Sequence, residues 1–107
     1  MMSISDRYRQ IVATLEEQSD RFYERLPAVA IKPLRLVDQA AEELQTQAES
    51  VGEIPQLQLE SRLAPIIIRA HGKLDRARVA LDDEGHAQVA GQIWELEQLL
   101  YRLLNDL

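Results

Sequence analysis

Residues 63–72 read LAPIIIRAHG, and whether Ile66, Ile67 and Ile68 belong to a strand or to a helix decides the fold of this 107-residue chain. Three β-branched residues in succession favour a buried strand by propensity alone. The neighbouring positions argue for a helix. Leu63, Ile67, Ala70, Leu74, Ala77 and Leu81 recur in steps of three and four, which lines one helix face, and a stripe of that length outweighs a local triplet. At about 100° per residue, Ile66 falls on the shoulder of the stripe, whereas Ile68 points about 140° away from Leu63. Pro65 lacks an amide hydrogen and crowds the carbonyl of Ser61, so this helix is expected to kink or restart there.

The same period extends in both directions. Ile4, Tyr8, Ile11, Leu15, Phe22 and Leu26 form a first stripe, with capping residues Ser3, Ser5 and Asp6 before it and Pro27 after it. A second helix is expected from near Pro33, carrying Leu34, Val37, Ala41, Leu44, Ala48 and Val51, and ending before Gly52 and Pro55. A fourth carries Val89, Ile93, Leu96, Leu100, Leu103 and Leu107, with the acidic run Asp82, Asp83 and Glu84 expected to cap its start. Strand alternation is missing at any useful length. The connections are short, so the predicted fold is all-α: an antiparallel up-down bundle of about four helices forming one domain over residues 1–107. The competing architecture is a set of helical hairpins that completes its core by dimerising.

Composition narrows the function classes. A hydrophobic content of 46% supports a folded chain, and the lack of cysteine excludes disulfides, thiolate metal sites and a cysteine nucleophile. The formal charge of −6 and pI near 4.8 disfavour broad attraction to a phosphate backbone. The start, MMSISDRYRQ, has neither the basic region nor the apolar run of a signal peptide, and no stretch reaches the ~18 apolar residues of a membrane span. A soluble cytoplasmic protein with no membrane association is expected.

Charge is nevertheless unevenly placed. Arg62, Arg69, Lys73 and Arg76 lie within about 60° of one another on the third helix. With Arg78 they make five cations in residues 62–78 against one acid, Asp75, whereas the rest of the chain has seven cations and seventeen acids. The stripe either pairs with Asp38, Glu42, Glu43, Glu49 and Glu53 of the second helix or faces an anionic partner. An acidic protein surface suits it better than DNA, because stacking aromatics are not interleaved with the cations.

Catalytic and metal constellations are weak. His71 and His86 stand about 15 Å apart along the predicted hairpin, and no stripe position is Asp, Glu or His, so both histidines are expected at the surface. No glycine-rich phosphate loop and no nucleophile signature occurs. No cofactor, no metal and no enzymatic activity are expected.

The fourth helix has more apolar surface than one stripe requires. Trp94 and Tyr101 are seven residues apart beside Ala87 and Ala90, and Leu99 extends the apolar character around the other side. Either Ala28, Val29, Ala30 and Ile31 cover these aromatics, or a partner does. The expected function is a non-enzymatic protein–protein interaction module, such as an adaptor, assembly factor or small regulator, that forms a homodimer. Its expected contact residues are Trp94, Leu99 and Tyr101 with Ile68, Arg69, Lys73 and Arg76. The alternative is nucleic-acid or anionic-ligand binding through the basic stripe, which requires Arg69, Lys73 and Arg76 to project into solvent.

Overall fold

The computed structural model describes residues 2–107. Its helices are α1 (Ile4–Arg25), α2 (Ile31–Ala48), α3 (Leu59–Asp83) and α4 (Ala87–Asn105), with single 3₁₀ turns at Ala28–Ala30, Val51–Glu53 and Gln56–Gln58. At 1.5 Å per residue the helices are about 27–38 Å long, and the molecule measures 43 × 23 × 20 Å, so all four run along the long axis. Successive helices joined by short turns pack side by side, which makes the bundle antiparallel and up-down. Contacts are densest between α2 and α3 and between α3 and α4; α1 lies more loosely against α4.

The boundaries follow from local chemistry. Ser3 accepts a hydrogen bond from the Asp6 amide at 3.1 Å and starts α1, and Pro27 follows its end. α2 begins at Ile31, two residues before the expected Pro33; the proline still falls within the first turn, where an amide has no helical acceptor. Between α3 and α4, Gly85 takes a φ of 88°. The Gly85 amide donates to Asp82 O at 3.0 Å and the His86 amide to Leu81 O at 2.8 Å, the paired bonds that close a helix C-terminus around a left-handed glycine. Asp82 and Asp83 are therefore the last residues of α3, with Glu84 after them. The expected capping role at α4 does not hold, and His86 at that position makes no side-chain cap.

α3 is continuous through Pro65, so of the kink or restart expected there the restart does not occur. Pro65 and Ser61 are both exposed, and the Ser61 carbonyl that loses its helical donor lies on the side that water reaches. The three isoleucines then separate as the wheel requires: Ile67 is buried, Ile66 is half-buried against the core and Ile68 is exposed.

One apolar cluster joins the four helices, and the expected stripe residues of α2 and α3 are all in it. The α1–α2 seam adds three polar ties. Tyr8 Oη donates to Leu44 O at 2.6 Å, and burial holds this phenol well above its ordinary pKa. Arg9 Nε donates to Ala48 O at 2.8 Å, satisfying a carbonyl at the end of α2. Asp38 accepts from Ser19 Oγ and Tyr23 Oη, each at 2.6 Å. No helix is long and apolar enough to cross a membrane.

Candidate interaction face

Trp94 and Tyr101 are seven residues apart on α4, so they point the same way to within about 20°. They are 50% and 52% exposed, and the segment around Ala28–Ala30 does not bury them; the Val29 side chain lies outside what the structure describes. On α3, Ile68 and Val79 fall within about 20° of each other and are 56% and 44% exposed. The two helices are antiparallel neighbours, so the four side chains lie on the outer side of one helix pair. A depression lined by Arg78 and Asp82 of α3 and by Ala87, Ala90, Gly91 and Trp94 of α4 joins the two sides.

Beneath this face lies a carboxyl group that the sequence reading did not single out. Glu97 is 2% exposed. Its helical neighbours are Ile93 and Leu100 on the core side and Trp94 and Tyr101 on the outer side, so apolar side chains enclose it from four directions. That enclosure is legible in the sequence: an acid three or four residues from large apolar groups on both flanks has no lateral route to water. Across the seam, His71 Nε2 is 3.8 Å from Glu97 Oε1 and Arg78 Nε is 3.3 Å from Glu97 Oε2. Arg78 nevertheless directs its hydrogens at Asp75 Oδ1, to which Nε donates at 3.1 Å and Nη2 at 2.7 Å. Glu97 Oε2 is left buried without a hydrogen bond.

The electrostatics follow from that arrangement. Burial pushes the Glu97 carboxyl up to about 7, the hydrogen bond and charge of Asp75 raise it further, and Arg78 opposes both. Asp75 is held below the ordinary carboxylate range, chiefly by its bonds from Arg78. Between the ordinary carboxylate range and about pH 7, Glu97 therefore holds a proton that Asp75 has already given up. His71 is half-buried against Glu97, which corrects the expectation of a freely exposed imidazole. Groups of three or more His, Asp or Glu arranged to hold a metal do not occur among the described residues.

The remaining expected contact residues lie on different surfaces. Lys73 pairs with Glu43 of α2, and Arg69 Nε approaches the other oxygen of Glu43 at 4.0 Å. The basic stripe is thus turned toward α2, with Arg76 exposed beyond it. Leu99 points about 140° away from Trp94 and lines a groove between α1 and α4 with Arg7, Gln10, Ile11, Thr14 and Arg102. Ile68, Trp94 and Tyr101 come together on one face; Leu99 and the Arg69–Lys73 pair do not join them. Val79 completes the face and was not among the expected residues. Comparison with known protein families, with curated proteins and with solved structures finds no match to the chain.

Proposed function

We propose that the chain is a non-enzymatic interaction module, an adaptor, assembly factor or small regulator, that works by covering the outer face of α3 and α4 with protein. The observation that carries this reading is the grouping of Ile68, Val79, Trp94 and Tyr101 in solvent on two adjacent helices. Single exposed apolar residues are ordinary on any surface, but four large ones on the outer side of two adjacent helices, two of them aromatic, resemble the anchor set of a protein interface. Anionic-ligand or nucleic-acid binding through the basic stripe is the weaker reading, because Lys73 and Arg69 meet Glu43 within the fold.

A photo-crosslinking side chain placed at position 94, and separately at exposed position 20 on α1, tests the reading in the cells that make the protein. A discrete protein adduct is expected at 94, lost when Ile68→Glu is added, with none at 20. Equal labelling at both positions, or no adduct at 94, would overturn it.

A further inference from the structure

Arg78 and Glu97 stand within reach of each other without bonding. Arg78 Nε lies 3.3 Å from Glu97 Oε2, yet its hydrogen goes to Asp75 Oδ1 at 3.1 Å, beside a second bond from Nη2 at 2.7 Å. Glu97 Oε2 is enclosed and has no hydrogen bond. A neutral carboxyl tolerates this, because its one hydrogen can be donated to the Asp75 carboxylate. A charged one does not, because a buried carboxylate without a donor costs far more than a buried acid.

Few groups can answer that charge. α3 brings His71, Asp75 and Arg78 to Glu97, with Asp82 acting on Arg78 from one turn beyond. His71 Nε2 is 3.8 Å from Oε1, beyond hydrogen-bond length. On α4 itself, Glu95 and Arg102 point about 160° and 140° away from Glu97. α1, the other helix packed against α4, brings Arg7 to Asp106 and Arg25 to Gln92, both on the far side of α4 from Glu97. Arg78 is the donor that a charged Glu97 can recruit with least movement.

We infer that Glu97, Asp75 and Arg78 form a proton-operated switch in the α3–α4 seam, in which Arg78 changes partner. With Glu97 neutral, its hydrogen goes to Asp75, and Arg78 holds Asp75 through two nitrogens. When Glu97 gives its proton to water, the Nε–H of Arg78 turns to Glu97 Oε2, and Asp75 keeps the single bond from Nη2. Two carboxylates then share one guanidinium, so the charged arrangement is still the costlier, and the proton is retained up to about pH 7. Arg78 and Trp94 line the same depression, so the change of partner alters the outer side of the helix pair as well as the seam. The switch belongs to the chain alone and operates whether or not that side binds a partner.

Trp94 is the only tryptophan and lies one turn before Glu97, so its fluorescence reports the change in unlabelled protein. Wild-type emission is expected to change in one step between about pH 5 and 9, with its midpoint at about 7 and no loss of helix by circular dichroism. Glu97→Gln should abolish the step and hold the emission at its low-pH level. Arg78→Gln should shrink the step and raise its midpoint by about one pH unit, since the cation that favours the charged carboxyl is gone. Imidazoles also titrate near neutrality, so His71→Gln is the control and should leave the step in place. Nitrogen NMR reads the exchange itself: the Arg78 Nε–H resonance should move over the same pH range in wild type and stay fixed in Glu97→Gln. Flat wild-type emission, a step that survives Glu97→Gln, or one that His71→Gln removes would sink the switch. An Arg78 Nε–H resonance that does not respond in wild type would contradict the change of partner, a result that stands even if Arg78→Gln does not fold.

Discussion

Asp38 at the α1–α2 seam and Glu97 at the α3–α4 seam are both acids set against apolar helix faces, but their oxygens meet different company. Asp38 divides its two oxygens between two hydroxyl donors, Ser19 and Tyr23. Glu97 faces a second acid, a half-buried imidazole and a guanidinium whose hydrogens are directed elsewhere. A carboxylate with matched donors ties two helices together in its charged form. One that is enclosed and under-bonded is favoured in its neutral form, so the seam it occupies is best satisfied when it carries a proton. The difference teaches that position in a seam does not determine what an acid does there; the direction of the nearest donor hydrogens does.

Removing the charge should therefore act with opposite sign at the two sites, and the larger effect belongs to Glu97. Its folded pKa of about 7 lies above the ordinary 4.5, so the folded chain holds a proton that the unfolded chain has released. Stability from that proton is complete below pH ~4.5, falls as pH rises toward about 7, and is absent above it. The full span corresponds to roughly 3 kcal/mol. Glu97→Gln keeps the shape and stays neutral, so it should match wild type near pH 4.5 and exceed it by up to roughly 3 kcal/mol at pH 8.5. Urea titrations at the two pH values check this. A wild type as stable as the variant at pH 8.5 would place the Glu97 charge in a better-bonded setting than the one described.

At the other seam the same kind of change should destabilise. Asp38→Ala leaves the Ser19 hydroxyl without its acceptor in a site only 3% exposed, a loss of about 2 kcal/mol. Asp38→Asn retains one accepting oxygen and should recover part of it. Thermal melts of both variants between pH 4.5 and 8.5 check the opposite signs: Asp38→Ala is expected to melt below wild type, and Glu97→Gln above it by a margin that grows as pH rises to about 7.

The four helices and their buried stripes were legible because a three-and-four period over eighteen or more residues has one structural solution, and Ile67 and Ile68 separated as it required. The start of α2 and the ownership of Asp82, Asp83 and Glu84 were not, since propensity does not say which side of a turn a polar run belongs to; Gly85 settled it by closing α3. On the candidate face, Ile68, Trp94 and Tyr101 could be found from single-helix wheels. Their separation from Leu99, and the turning of Lys73 and Arg69 toward Glu43, depend on which helix stands on each side of α3 and α4, and a wheel drawn for one helix carries no such information.

The smallest effect comes from the two tyrosines that distinguish a structural seam from an open face. Tyr23 Oη donates to Asp38 Oδ2, and its pKa is pushed up to about 12 by burial and then by the bond and charge of Asp38, with Arg35 opposing. Tyr101 is 52% exposed, and among the described residues the tyrosine hydroxyls that hydrogen-bond are those of Tyr8 and Tyr23. Tyr23→Phe should cost about 1 kcal/mol, the usual net worth of one such bond to a charged acceptor at a partly exposed site, and Tyr101→Phe close to nothing. Ultraviolet titration supplies an independent readout, because Tyr23→Phe should remove a phenol that ionises near pH 12. If instead Tyr101→Phe proved the costlier change in dilute protein, its hydroxyl would be bonded within the monomer, and the outer face of α3 and α4 would be more closed than the free aromatic pair implies.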